Sequence, residues 1–263
     1  MRKLIAVDLD GTLLRTDSTI STASVEFLQN VSEAGHFVTV ATGRSWASSL
    51  PYVRQLGIRN PYIVHNGAWI TDTMAKTIRL DAIASDVALD FWRYCSENKI
   101  PCTFITTGGI YINKKDHYSL GQHRRYDNME PEVKYDNPPG PDESLLAICI
   151  SNQDSDRYLA IFEQLTNTFG CRLQIYRVGN NMINVAAAGV SKGRALEHLA
   201  SLYSIPMSDV IAFGDNHNDV DMLQKAGIGV AMEGADPDAL AAADIIAPPN
   251  DQDGVIAVLR QLI

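Results

Sequence analysis

Cysteine is scarce in this sequence, and its cysteines lack the spacing of a metal site. The four residues, Cys95, Cys102, Cys149 and Cys171, form no CxxC pair and have no companion histidines at zinc spacing. Unpaired thiols of this kind are typical of a reducing compartment. We therefore expect free thiols, no structural zinc and a cytoplasmic location.

The sequence also lacks a long hydrophobic run and a basic segment. No stretch reaches the roughly 18 unbroken apolar residues of a membrane span, and MRKLIAVDLD meets an acidic residue too early for a signal peptide. Acidic residues outnumber basic ones by 31 to 22, for a formal net charge of -9. No lysine- or arginine-rich run could follow a nucleic-acid backbone. These absences argue against both a membrane and a nucleic acid as partners.

The rest of the composition is that of a globular enzyme. Of 263 residues, 46% are hydrophobic and 20% are charged, which is ample for a core. The length exceeds what one core usually serves, so we expect one large domain or two moderate ones.

Short β-rich runs alternate with amphipathic stretches at both ends of the chain. KLIAVD, FVTVAT and YIVHNG are separated by the helix-like STASVEFLQNVSEAG and SWASSLPYVRQLG, and the alternation returns from SKGRALEHLASLYS onwards. This rhythm is typical of a parallel sheet covered by helices. It predicts an α/β fold with a Rossmann-like, doubly wound parallel sheet.

The middle of the chain, residues 81–185, has a different texture. Strand-like runs such as CTFITT and GIYINK follow one another across short turns, which indicates an inserted antiparallel α+β module. Within it, Phe91, Trp92 and Tyr94 are predicted to be core residues. The segment HYSLGQHRRYDN, at residues 117–128, is interpreted as a solvated helix face. The alternative is a basic patch that contacts an anionic leaving group.

Three polar clusters follow three separate apolar runs. They are DLDGT at 8–12, TGR at 42–44 and GDNHND at 214–219. Because ligands gather at the carboxyl ends of strands in open α/β sheets, we expect these clusters to converge.

The aspartates of these clusters predict a metal site. Asp8 and Asp10 would project to the same side if strand geometry persists that far. With Asp215 and Asp219 they would form a four-carboxylate cluster, which is tolerable only if a hard cation or protons offset the repulsion. Oxygen-only ligands point to Mg²⁺. A lone DxD at a strand end is also a common Asx-capped turn, so the prediction depends on the three clusters meeting.

Three further residues suit an anion. Lys192 begins a predicted helix, where the dipole and the ammonium both favour negative charge. Thr42 and Gly43 offer a hydroxyl and an unobstructed N–H to phosphate oxygens. The alternatives are a solvated lysine and a helix N-cap at Thr42.

The segments DLDGT, ATGR, GVSKG and FGDNHNDVDML, in this order, resemble the four motifs of the haloacid dehalogenase (HAD) superfamily of phosphohydrolases. The insertion between the second and third motifs resembles the Cof-type branch (subfamily IIB), whose members carry a C2-type cap. The resemblance extends along nearly the whole chain, including NGA at 66–68. It implies a HAD-like catalytic core at 1–80 and 186–263 and a cap domain at 81–185.

The resemblance also implies catalytic roles. Asp8 would be the nucleophile that forms an aspartyl-phosphate, and Asp10 would act first as general acid and then as general base. Mg²⁺ would be held by the Asp8 carboxylate, the Asp10 main-chain carbonyl and Asp215, with Asp219 in support. The phosphoryl group would be held by the backbone N–H of Leu9 and by Thr42, Gly43, Lys192 and Asn218.

Two positions bear on the substrate. Asn184, in MINVAA, stands where Cof-type relatives commonly carry a glutamate, so substrate preference is expected to differ. Arg44 either contacts the substrate or braces its own loop.

The implied function is a Mg²⁺-dependent phosphatase for small phosphorylated metabolites, with sugar phosphates as the expected class. A phosphomutase, which returns the phosphoryl group to a sugar hydroxyl, is the first alternative. A non-catalytic phospho-acceptor or metal-binding regulator is the second; Asp10 argues against it, because a stable phospho-aspartate is incompatible with a general base two residues away. The sequence indicates neither the physiological substrate nor the oligomeric state.

Overall fold

The computed structural model describes residues 2–113, 132–133, 143–151, 155–178 and 182–263. The chain splits into two compact units, Met1–Arg79 with Ser191–Ile263, and Leu80–Val190. The functions expected of these segments, a catalytic core and a cap, stay predictions.

The helices and strands alternate along much of the described chain, and their bounds are as follows. They are β1 (Leu4–Val7), α1 (Thr22–Glu33), β2 (Phe37–Val40), α2 (Trp46–Gln55), β3 (Tyr62–Val64), β4 (Trp69–Thr71), β5 (Thr77–Leu80), α3 (Ser85–Glu97), β6 (Thr103–Thr106), β7 (Ile110–Ile112), β8 (Glu132–Val133), β9 (Leu145–Ser151), α4 (Ser155–Phe169), β10 (Leu173–Val178), β11 (Met182–Ala187), α5 (Lys192–Leu202), β12 (Val210–Gly214), α6 (Val220–Lys225), β13 (Ile228–Met232), α7 (Pro237–Ala242), β14 (Ile245–Ala247) and α8 (Gly254–Leu262).

The first unit is built on a five-stranded parallel sheet in the order β14-β13-β12-β1-β2. Alternate side chains of β1 enter two different cores, because Ile5 packs with residues of α1 and α8 while Leu4 packs with residues of α5 and α6. A strand buried on both faces needs an unbroken apolar run, which LIAV supplies. This arrangement confirms the predicted Rossmann-like α/β core.

Three polar clusters sit at one edge of this sheet, as the sequence predicts. β1 ends one residue before Asp8, β2 ends two residues before Thr42, and β12 ends one residue before Asp215. All three strands are parallel neighbours, so their carboxyl ends lie together.

A small sheet of β3, β4 and β5 extends the first unit. Thr42 N–H donates to the Ile63 carbonyl at 2.9 Å, which ties β3 to the end of β2. The sequence analysis predicts β3 but makes no prediction of β4 or β5.

The second unit has a six-stranded sheet in the order β10-β11-β9-β6-β7-β8. Neighbouring strands of this sheet are antiparallel, apart from the parallel pair β7–β8. The predicted core residues are found in its hydrophobic cluster, with Phe91 and Trp92 buried and Tyr94 partly buried. The basic segment at 117–128 lies outside the described residues.

All four cysteines lie within the described residues, and none of them forms a disulfide bond. Within the described ranges, we find no helix with the length and apolar character to cross a bilayer.

Candidate active site

Three carboxylates from distant parts of the chain meet at the carboxyl edge of the parallel sheet. Asp8 follows β1, and its N–H donates to the Phe213 carbonyl at 3.0 Å, which continues the pairing with β12. Asp215 follows β12, and Asp219 ends the short turn after it. One oxygen from each of these three carboxylates lies within 4.8 Å of the others. Oxygen ligands of this kind suit a hard divalent cation.

Lys192 places a positive charge against this group. It is the first residue of α5, whose N-cap Ser191 accepts a hydrogen bond from the Arg194 N–H at 3.1 Å. Its ammonium nitrogen donates to Asp8 Oδ1 at 2.8 Å and to Asp219 Oδ1 at 2.7 Å, and only 1% of its side chain is exposed. Burial favours the neutral amine, but the two carboxylates outweigh it and raise the pKa of Lys192. The solvated alternative for this lysine is therefore wrong.

Burial also raises the pKa of two of the carboxylates, Asp8 and Asp215. It raises the pKa of Asp8 well above its usual value, with Lys192 opposing the shift and the neighbouring acids adding to it. It likewise raises the pKa of Asp215 to about 7, helped by Asp219, although the Thr12 hydroxyl donates to Asp215 Oδ1 at 2.8 Å and opposes the change. Either protons or a cation must offset the repulsion at this site.

Gly11 allows Asp215 to approach the loop that follows Asp8. Its φ is +78°, a left-handed conformation that favours glycine. A Cβ at this position would overlap the Asp215 carboxylate. The glycine of DLDGT is thus needed for both its backbone conformation and its lack of a side chain.

The Asp10 side chain does not lie with the other carboxylates, as the sequence predicts it to. β1 ends at Val7, so the alternation of a strand does not extend to Asp10. The Asp10 carboxylate instead receives two hydrogen bonds from Arg44, at 2.7 Å from Nε and 2.6 Å from Nη2, and 53% of its side chain is exposed. The predicted four-carboxylate cluster is therefore wrong, since the Asp10 side chain is paired elsewhere. Coordination through the Asp10 main-chain carbonyl stays a prediction.

Arg44 braces the loop of Asp10, a different loop from its own, and its contact with a substrate stays a prediction. Its guanidinium also lies over the Tyr52 ring, 5.1 Å from the centroid. A guanidinium that already stacks on an aromatic ring loses little further conformational freedom when it pairs with a carboxylate.

Thr42 and Gly43 form the second loop of the site. Thr42 is buried, and its Oγ1 accepts a hydrogen bond from the Arg44 N–H at 3.1 Å. The N-cap of α2 is Ser45, so the alternative of an N-cap at Thr42 is wrong. A Cβ on Gly43 would come within 2.9 Å of Asn66 Oδ1, so Gly43 keeps this loop close to Asn66.

The third loop carries Asn218 and Asp219. The Asn218 Nδ2 donates to Asn66 Oδ1 at 2.7 Å. Asp219 Oδ2 accepts hydrogen bonds from the N–H groups of Asp215 and Asn216, at 3.0 Å each. Asp219 therefore holds its own loop in place in addition to pairing with Lys192. Sequence reasoning gave no role to Asn66, although its NGA segment was recognised.

Leu9 and Asn184 complete the predicted set. The Leu9 carbonyl accepts from the N–H groups of Leu13 and Leu14, at 3.1 and 2.8 Å, which closes the turn after β1. Its own N–H as a phosphate ligand stays a prediction. Asn184 lies in β11 of the second unit and accepts a hydrogen bond from the Cys149 thiol at 3.1 Å. Its contact with a substrate also stays a prediction.

Comparison with known proteins identifies relatives along the whole chain. Residues 5–259 match the profile of haloacid dehalogenase-like hydrolases. The pyridoxal phosphate phosphatase YbhA of Escherichia coli is 29% identical, with 96% of each chain covered. The 5-amino-6-(5-phospho-D-ribitylamino)uracil phosphatase YitU of Bacillus subtilis is 27% identical, over 98% of this chain and 96% of the relative.

Solved structures show the same fold. A haloacid dehalogenase-like hydrolase from B. subtilis superposes with a TM-score of 0.88 at 25% identity, covering 99% of this chain and 100% of the other. A HAD subclass IIB sugar phosphatase superposes with a TM-score of 0.86 at 23% identity, covering 99% and 98%.

Proposed function

Because this chain belongs to the haloacid dehalogenase-like hydrolases, we propose that Asp8 carries a phosphoryl group between substrate and water. The protein is a phosphoric monoester hydrolase of the Cof-type branch. The substrates we propose are small phosphorylated metabolites, with sugar phosphates as the leading class. Relatives named for a phosphorylated ribityl compound, for pyridoxal phosphate and for sugar phosphates support this class.

The observation that carries the proposal is the position of Lys192 between Asp8 and Asp219. A carboxylate that attacks a phosphate monoester approaches an anion, so positive charge at the point of attack lowers the barrier. Lys192 supplies a protonated ammonium in direct contact with the nucleophile, in a buried environment where charge is poorly screened.

Phosphoryl transfer in this proposal has two steps. In the first, an Asp8 oxygen bonds to phosphorus, the bond from phosphorus to the leaving oxygen breaks, and Asp10 gives its proton to that oxygen. In the second, water attacks the same phosphorus, Asp10 takes a proton from it, and Asp8 is released as a carboxylate. Asp10, whose side chain is exposed, is the group we assign to both proton transfers; it gives its proton in the first step only when it is protonated and released from Arg44.

The carboxylate group fits a divalent cation. Asp8, Asp215 and Asp219 offer only oxygen, their neighbourhood is largely buried, and Gly11 leaves room for Asp215 to approach. We propose that Asp8, Asp215 and the Asp10 carbonyl hold Mg²⁺, with Asp219 in support. When bound, Mg²⁺ supplies charge neutralisation for the phosphoryl oxygens.

We further propose that the second unit, Leu80–Val190, influences which leaving group is accepted. Asn184 is the residue at which this chain departs from the glutamate common in Cof-type relatives. Replacing it, as Asn184→Glu, is expected to change the ranking of substrates. We place the reaction in the cytoplasm because none of the four cysteines forms a disulfide bond.

The experiment that tests this proposal is a screen of phosphorylated metabolites scored by phosphate release. The wild-type protein is compared with Asp8→Asn and with Asp17→Asn, an exposed aspartate outside the site. We expect release by wild type and Asp17→Asn, none by Asp8→Asn, and reversible loss with a chelator. Phosphate release by Asp8→Asn would defeat the mechanism. Transfer to a sugar hydroxyl in place of release would identify the phosphomutase alternative.

A further inference from the structure

A strained turn follows β3 beside the candidate site. His65 and Asn66 have φ values of 49° and 56°, and Gly67 has 104°. Left-handed backbone is uncommon outside glycine, and consecutive residues in it persist only where the surroundings hold them. The holding contacts are two hydrogen bonds of 3.0 Å, from His65 N–H to the Arg44 carbonyl and from Asn66 N–H to the Thr42 carbonyl. The turn is therefore fastened to the loop of Thr42 and Gly43.

The same turn meets two further segments that are expected to bind the phosphoryl group. A Cβ on Gly67 would overlap the carbonyl of Ser191, the residue before Lys192. On the other side, Asn66 Oδ1 accepts the hydrogen bond from Asn218 Nδ2 at 2.7 Å. Asn66 is 2% exposed, so this contact is shielded from water. One turn thus touches three of the four segments expected to bind the phosphoryl group; the fourth is the loop of Leu9.

Asn66 determines how the Asn218 amide is oriented. Nδ2 of an asparagine carries two hydrogens, and donation of one to Asn66 fixes the direction of the other. Across the described ranges, Oδ1 of Asn218 is buried without a hydrogen-bond partner, so Asn66 supplies the hydrogen bond found for this amide. Without it, the amide could rotate about its terminal torsion, which is broad and roughly two-fold.

We propose that Asn66 is a positioning residue for phosphoryl transfer, whose side-chain oxygen holds the Asn218 amide with its second N–H directed at the phosphoryl group. This inference rests on the proposed function, in which Asn218 binds that group. Asn66 itself touches no reacting atom. Its effect should therefore depend on the presence of Asn218.

A double-mutant cycle of Asn66→Gly and Asn218→Ala tests this dependence. Glycine keeps the left-handed backbone and removes the amide. The matched control is Ser204→Gly, because Ser204 has the same φ of 56° at an exposed position outside the site. The readouts are kcat/KM for p-nitrophenyl phosphate and, without turnover, the affinity for orthovanadate measured by calorimetry.

We expect Asn66→Gly to lower both readouts about tenfold, the effect of losing one orienting hydrogen bond. In the Asn218→Ala background the same change should have less than about a twofold effect. Ser204→Gly should leave both readouts unchanged. If Asn66→Gly does not fold, Asn66→Ser, which also lacks the amide, carries the same prediction.

The outcomes separate the two proposals. Equal effects of Asn66→Gly with and without Asn218, or no effect in either background, overturn the positioning role while phosphate release stands. A wild-type protein that binds vanadate with this coupling but releases no phosphate overturns the proposed hydrolysis and leaves the positioning of Asn218. A wild-type protein that binds no vanadate overturns both.

Discussion

The ammonium nitrogen of Lys192 lies 2.8 Å from Oδ1 of Asp8, and both side chains are buried. The two residues are 184 positions apart in the chain. They meet because α5 begins beside the carboxyl edge of the parallel sheet, where β1 ends. Through this contact, the Asp8 carboxylate, which we propose receives the phosphoryl group, pairs with the Lys192 ammonium, which would offset negative charge during the attack.

Removal of the lysine charge should destabilise the protein and slow the reaction. Lys192→Met leaves Asp8 and Asp219 buried and close together without their cation, which typically costs about 3–5 kcal/mol. Activity should fall by about 10²–10³-fold or more. Urea unfolding and phosphate release measure the two effects.

The control for this variant is Lys225→Met. Lys225 pairs with Glu197 at 2.6 Å, and both side chains are partly exposed, so its loss should cost about 1 kcal/mol or less. Similar losses of stability in the two variants would contradict the importance assigned to the buried pair.

Magnesium should stabilise the protein more in mildly alkaline than in mildly acidic solution. Burial raises the pKa of Asp215 to about 7 in the folded protein, so folded Asp215 binds a proton that the unfolded chain has already lost. The stability from this proton is full at low pH and disappears as pH rises through about 7. Because Mg²⁺ competes with that proton, its effect on Tm should be larger near pH 8 than near pH 5.5.

The matching variant is Asp215→Asn, which cannot titrate at this position. Its Tm should respond weakly to Mg²⁺ at either pH. A wild-type Tm shift that is the same at both pH values would speak against competition between the proton and the cation.

Two glycines of similar conformation separate backbone strain from crowding. Gly11 and Gly234 have φ values of +78° and +84°, but a Cβ on Gly234 would meet nothing within 4 Å. Gly234→Ala should cost only the strain of a left-handed alanine, about 1–2 kcal/mol. Gly11→Ala should add a clash with Asp215, so its Tm and its affinity for Mg²⁺ should both be clearly lower. Indistinguishable variants would mean that Gly11 serves the backbone alone.

The convergence of the site could be predicted from the sequence because each contributing strand, and the polar residue that follows it, is recognisable from a short local segment. An apolar run fixes each of the three strands, and Asp8, Thr42 and Asp215 follow those strands closely in the chain. The rule that parallel strands bring their carboxyl ends together then supplies the long-range step. The four motifs of the HAD resemblance add the identity of the chemistry.

Long-range contacts explain what the sequence could not predict. The burial of Lys192 depends on two carboxylates that lie elsewhere in the chain, so the sequence left a solvated lysine open as the alternative to an anion-binding one. The direction of Asp10 depends on the end of β1 and on the guanidinium of Arg44. Asn66 escaped notice because its hydrogen bond to Asn218 spans 152 positions.

The central claim, that Asp8 carries the phosphoryl group, is tested most directly by chemical trapping of the phosphorylated protein. Enzyme turning over substrate with Mg²⁺ is quenched with borohydride, which reduces an acyl phosphate but leaves free carboxylates unchanged, and the peptides are sequenced by mass spectrometry. The account predicts homoserine at position 8 in wild type, and none in Asp8→Asn or without substrate. Continued phosphate release with Asp8 unmodified, or a trapped residue at any other position, would contradict it.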